Sequence, residues 1–220
     1  MESIMAGLAL FQKGGFIMYV LLLCSLFVVA VGVERFQYFR REDSGRMFAS
    51  RFMELSAQAD YAGAMELSAK QPGVLSDLLT KAAVRYAAGN HDVAAYLEIQ
   101  SGTALSRFRQ RLYYLSVVVT MAPLLGLLGT ISGMISAFSV FNGESAQAAA
   151  ITGGVGEALI ATAFGLCVAI LSLMIHAYFS QRLENIVTDM EACFSLVETN
   201  PSAFAEEVRK EEEGAQHALA

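Results

Sequence analysis

The chain has 220 residues, 55% of them hydrophobic and only 16% charged, whereas a soluble domain carries about 25% charged residues. The mean hydropathy of +0.47 and the confinement of charge to particular stretches point to a membrane protein with soluble extensions. The net charge of -6 comes largely from the end of the chain, "EEVRKEEE" from Glu206, and gives no basic patch of the kind nucleic-acid binding needs.

The first element in chain order is an uncharged run between Lys13 and Glu34, "GGFIMYVLLLCSLFVVAVGV". It is long enough to cross a hydrocarbon core of about 30 Å at 1.5 Å per residue. A cleaved signal peptide has a shorter apolar region, of about 7–15 residues, and ends at a small-x-small site. This run ends in Val33-Glu34-Arg35 and reads as a retained transmembrane helix over 14–35. Large side chains surround it, so it is expected outermost, toward lipid.

A helical region over 36–111 follows. Pro72-Gly73 breaks the chain, and "SDLLTKAAVRYAAGN" from Ser76 has a polar start and a Gly89-Asn90 stop. Beyond Asp92, a good N-cap, nothing breaks a helix before Pro123, so a single helix is expected from there into the next span. A helical stalk is expected here rather than a separate globular domain.

The second span is expected over 112–138, a short loop over 139–152, and the third span over 153–181. A tail over 182–220 completes the chain. "RLENIVTDMEACFSLVE" can prolong the third helix, and "EEVRKEEE" reads as a charged helix end or a disordered tail. The fold class is therefore all-α, with three transmembrane helices and long helical extensions. Lys and Arg crowd 34–111 and return at Arg182, whereas 139–156 has neither. By the positive-inside rule, 36–111 and the tail lie in the cytoplasm, and the N-terminus and the 139–152 loop lie outside.

Small residues recur at helical spacing in the last two spans: Ala122, Gly126, Gly129, Gly133 and Ser136, then Ala158, Thr162, Gly165, Ala169 and Ser172. Such faces let helix backbones approach closely in lipid. Thr130 lies nineteen residues after Arg111 and Thr162 twenty before Arg182. In antiparallel helices this sets the two threonines at nearly one level, with Glu157 roughly 7–8 Å further outward. Taken singly, each hydroxyl most simply bonds its own helix. Glu157 sits at a wetted interface if the span ends twenty residues before Arg182. It lies inside, where a carboxylate is functional by default, if the helix projects past the bilayer. His176 reads as an interfacial histidine, and Cys24, Cys167 and Cys193 as small buried hydrophobes. No nucleophile–base set, metal-ligand cluster or phosphate loop stands out, so no catalytic residue, cofactor or metal is assigned.

"APLLGLLGTISGMISAF" (Ala122–Phe138) and "GGVGEALIATAFGL" (Gly153–Leu166) resemble the signature of the MotA/TolQ/ExbB proton-channel family, closest to its ExbB and TolQ branch. The resemblance implies an inner-membrane energy transducer. Its ExbB-like subunits form a homopentamer whose second and third spans line a pore. It implies a single-span ExbD/TolR-like partner with a membrane aspartate, and a TonB/TolA-like periplasmic linker protein. By motif position, Thr130, Thr162 and Glu157 correspond to the polar pore residues. The flagellar stator branch uses four spans and fits less well. A reading of another class is a non-conducting membrane scaffold for a cytoplasmic partner, which explains the extensions but not the threonines.

Overall fold

A computed structural model describes residues 15–139 and 147–219, and within these the side chains of 139, 147–152, 157 and 211–219 lie outside the description. Most of the expected loop, 140–146, and residues 1–14 lie outside the described residues. The rest is helical: α1 (Gly15–Glu42), α2 (Arg46–Ala57), α3 (Tyr61–Lys70), α4 (Val74–Ala87), α5 (Val93–Arg109), α6 (Leu112–Ser139), α7 (Gln147–Thr199) and α8 (Pro201–Leu219). Stretches of α1, α6 and α7 are long and apolar enough to cross a membrane, so the chain is a multi-pass membrane protein.

The chain divides into two compact units. One comprises 15–34 and 111–179, the other 35–110 and 180–219.

In the first unit α1 packs through Met18, Leu21, Val28 and Val31, all buried, and leaves Phe16, Leu23 and Leu26 exposed. α6 and α7 leave comparable residues exposed, Leu124 and Ile135 on one and Leu159 and Met174 on the other, so exposure does not set α1 apart. Gly32 lets Ile175 of α7 come close, at 3.2 Å from where a Cβ would stand. Glu34 and Arg111 pair at 3.2 Å, and Phe27 meets the edge of Tyr114 at 6.4 Å.

The second unit departs from the expected stalk, because it has an aromatic core of its own. Phe39, Phe52, Phe108 and Phe204 are fully buried. Phe52 stacks on Phe204 at 5.7 Å, and Phe108 meets Phe39 at 5.0 Å and Tyr38 at 5.2 Å. Burying each such ring is worth on the order of 1.5–3 kcal/mol, enough to fold a helical domain rather than a bare stalk. Cys193 lies in this core, and burial pushes its thiol up to about 12.

Helix boundaries in this unit follow local chemistry. Gly73, at φ 126, opens α4 and lies so close to Ser44 that a Cβ would fall 2.3 Å from Oγ. The Ser44 hydroxyl accepts from the Ser76 amide at 3.3 Å, and Gln71 donates to the Ser44 carbonyl at 2.9 Å. Asp43 accepts from the Gly45 amide at 2.8 Å and from Arg182 Nε at 2.9 Å, which ties the α1–α2 joint to α7. Gly89, at φ 87, follows α4 as expected. Asp92 does precede α5, but its carboxylate makes no cap; it accepts from Arg85 Nε at 3.1 Å and from Nη2 at 2.9 Å.

The expected single helix from Asp92 through the second span is in fact two. Gln110 turns extended (ψ 136) and Arg111 adopts φ 71, ending α5. Within the second unit the buried Arg35 guanidinium donates to the Arg107 and Gln110 carbonyls, both at 3.0 Å, and so satisfies acceptors that a helix end leaves open. By contrast α7 continues unbroken past Arg182 to Thr199, as expected. "EEVRKEEE" belongs to a helix, α8, whose Arg209 donates to the Ala87 carbonyl at the end of α4 at 2.9 Å.

Candidate functional site

The candidate site lies on α6 and α7 within the first unit. The small faces meet in antiparallel register. A Cβ added at Gly165 would fall 2.6 Å from the Ala122 carbonyl oxygen, and one at Gly126 would fall 3.0 Å from Thr162 Cα. One at Gly129 would meet Ala161 Cβ at 2.5 Å, and one at Gly133 would meet Ala158 Cβ at 3.2 Å. These are backbone-level approaches that any larger residue would open. Ala158 and Ala169 are buried, as the helical spacing requires.

Two details differ from the expected faces. Ser136 is exposed, and Ala137 takes the buried place opposite Gly154, so the face steps by four residues from Gly133 rather than by three. Ala161, fully buried against Gly129, was not among the residues singled out, although it lies three after Ala158 and four before Gly165.

The register also sets the threonines. Thr162 stands opposite Gly126, four residues before Thr130, so the two hydroxyls are about 6 Å apart along the pair instead of level. The reason is that α7 runs straight through Arg182, which marks no helix end, so counting from it overshoots by about one turn. Ala158 faces Gly133, and its neighbour Glu157 on the α7 backbone therefore lies further along again. The side chain of Glu157 lies outside the described residues. The order along the helix pair is Thr162, Thr130, Glu157: a ladder rather than a cluster.

Both hydroxyl protons are engaged. Thr130 donates to the Leu127 carbonyl of its own helix at 2.7 Å, the local bond expected of a threonine taken singly. Thr162 donates across the pair to the Gly126 carbonyl at 3.0 Å. Each side chain is half-buried. A hydroxyl has one proton and two lone pairs, so both threonines are left as hydrogen-bond acceptors toward whatever reaches their open sides, water above all.

The fold and the site define a multi-pass helical membrane protein with a closely packed small-residue helix pair that carries a spaced set of polar groups. Residues 71–192 match the MotA/TolQ/ExbB proton channel family, and the chain belongs to that family. A Synechocystis protein named biopolymer transport protein ExbB-like 1 is 33% identical over 75% of this chain and 67% of its own length. The biopolymer transport protein ExbB of Neisseria gonorrhoeae is 34% identical over 44% of this chain and 46% of its own. The Tol-Pal system protein TolQ of Haemophilus influenzae is 35% identical over 39% of this chain and 38% of its own. A second Synechocystis relative, biopolymer transport protein ExbB-like 3, is matched over 31% of its own length.

Proposed function

We propose that this chain is an ExbB-type subunit of a bacterial inner-membrane energy transducer driven by the proton-motive force. The subunits assemble as a homo-oligomeric ring, a pentamer in the family pattern, with α6 and α7 lining its pore. The termini follow the charge bias: the N-terminus outside, residues 36–111 and the tail in the cytoplasm. An ExbD/TolR-like single-span partner supplies the membrane aspartate, and a TonB/TolA-like linker carries the work to the outer envelope.

The observation that carries this reading is the hydroxyl pair on the family-matched segment. Thr130 and Thr162 have spent their protons on carbonyls and offer lone pairs at two successive levels. Water accepted there hands protons toward the partner's aspartate, with Glu157 keeping the outer entrance wet. The driving force is about 2.3 kcal/mol per charge per 100 mV. Neutralising the aspartate lets the partner helix turn against the ring. The stronger likeness by extent is to ExbB-named relatives, which favours TonB-dependent transport; the TolQ match keeps the Tol-Pal system as the second reading.

The test is proton uptake into vesicles holding the chain with a single-span partner, with oligomer size followed in parallel. Thr130→Val and Thr162→Val are each expected to leave the ring assembled and to lower uptake at least about tenfold, the scale of one 1.4 kcal/mol contact. Serine at either site restores part of it. Glu157→Gln is milder than either valine change if the carboxylate only hydrates the pore, and as severe if it relays the proton. Full uptake by the Thr130→Val, Thr162→Val double variant overturns the pathway.

A further inference from the structure

Hydroxyls on this helix pair behave in two ways. Ser116, Thr120 and Thr130 of α6 each donate to a carbonyl three residues back on their own helix. Ser172 and Thr162 of α7 do not. Ser172 donates to the Leu115 carbonyl at 2.9 Å and Thr162 to the Gly126 carbonyl at 3.0 Å, both on α6. Local bonding is the ordinary habit of Ser and Thr in helices, so two crossings on one helix call for a cause.

The cause lies in the segment they bracket. Pro123 stands inside α6 between Leu115 and Gly126. It has no N–H to give the Val119 carbonyl, and its ring crowds that carbonyl, which makes this the weakest turn of the helix. α7 has no proline and runs past the gap unbroken. Ser172 and Thr162 are ten residues apart on it, about 15 Å, close to the span from Leu115 to Gly126. α7 is thus a splint pinned to α6 on each side of the weak turn.

The two pins differ in access. Ser172 is 0% exposed, beyond the reach of water, whereas Thr162 is half-buried. Water or a partner group can therefore reach Thr162 and compete for its hydroxyl proton, but cannot reach Ser172.

We propose that Ser172 and Thr162 clamp α6 to α7 about Pro123, the Ser172–Leu115 bond being the fixed pivot and the Thr162–Gly126 bond the releasable latch. Ser172 is then a positioning residue: it acts by holding α6 where Thr130 and Thr162 keep their spacing, a consequence that rests on the proton-pathway reading above. Release of the latch lets the part of α6 beyond Pro123 swing while the part before it stays fixed.

The experiment measures distances between spin labels in the full chain, in lipid nanodiscs, diluted with unlabelled chain and with Cys24, Cys167 and Cys193 replaced by alanine. One pair, at Tyr113 and Met174, reads the segment before Pro123; the other, at Ile135 and Val155, reads the segment beyond it. All four positions are exposed. Thr162→Val is expected to broaden and lengthen the Ile135–Val155 distance by about 1–2 Å, the usual size of a helix shift, and to leave Tyr113–Met174 unchanged. Thr162→Ser restores the parent distance. Ser172→Ala, which removes one oxygen and little volume, shifts both pairs. The clamp is overturned if Ser172→Ala moves neither pair, or if Thr162→Val moves both alike, since then nothing pivots at Pro123. These distances are read without proton flow. Clamp distances as expected in a chain whose threonine variants take up protons normally would leave the clamp standing and remove the pathway.

Discussion

The two units of this chain are held together in opposite ways. In 15–34 with 111–179 the helices meet where side chains are smallest: Gly165 on the Ala122 carbonyl, Gly129 on Ala161, Gly133 on Ala158. Large apolar residues such as Phe16, Leu23, Leu124 and Ile135 face outward. In 35–110 with 180–219 the arrangement is reversed. Phe39, Phe52, Phe108 and Phe204 are inside, and among the described residues only Phe36, Met47, Val84 and Ile99 are large hydrophobics left exposed. The difference reports the solvent each unit answers to. Lipid gives helices no hydrophobic reason to associate, so close backbone approach and hydroxyl–carbonyl bonds do it. Water rewards the burial of rings.

The comparison breaks first where a small residue is enlarged. Gly165→Leu puts a side chain into the Ala122 carbonyl, and α6 and α7 are expected to separate. Cross-linking between cysteines on facing positions of the two helices should be lost, while the core of the second unit stays folded. Next comes the converse change. Phe204→Ala empties the stack on Phe52 and is expected to cost the second unit about 3–5 kcal/mol, read as its denaturation midpoint, and to leave the α6–α7 cross-link intact. If either substitution damaged both units equally, the division would fail. A smaller effect is expected from Arg35→Met, which keeps the apolar stem but orphans the Arg107 and Gln110 carbonyls. A loss of about 1–3 kcal/mol should appear with faster amide exchange at the end of α5.

The smallest effect concerns Asp189. Burial pushes its carboxyl above the ordinary 3.8, with nearby Arg46 opposing and Asp43 reinforcing the shift. A raised carboxyl favours the folded state while protonated, and that stability is lost as pH rises through the folded value. Asp189→Asn should therefore stabilise the second unit slightly near neutral pH, with the gain vanishing in acid below the ordinary value. A stabilisation of the same size at every pH would assign the effect to packing instead.

Much of the first unit is legible in the sequence, because membrane spans and small-residue faces are matters of composition and spacing. The three apolar stretches and the glycine face are readable for that reason, whereas the helix that holds the third stretch begins at Gln147, inside the expected 139–152 loop. Spacing alone could not choose between Ser136 and Ala137, since both suit a 3.6-residue period. Counting from arginines could not give the register, which contacts such as Gly126 on Thr162 decide. The second unit was hidden for a different reason. Phe52 and Phe204 are far apart in the chain, and nothing local to either shows that they stack. The break at Gln110–Arg111 carries no glycine or proline; it is held by Arg35, which belongs to another helix. Asp92 was found by position, but its partner Arg85 was not, because that choice depends on how α4 and α5 come together.

The burial of Cys193 turns the second unit into its own timekeeper. A thiol that ionises only near 12 presents almost no thiolate at neutral pH, and the thiolate is the form that attacks an alkylating reagent and displaces its leaving group. Cys167, expected to be buried, is instead exposed on α7, so no packed side chains shield it. Modification of Cys193 waits for the aromatic core to open. Its rate in intact membranes, compared with that of Cys167, thus measures how often this unit unlocks while the rest of the protein stays in place.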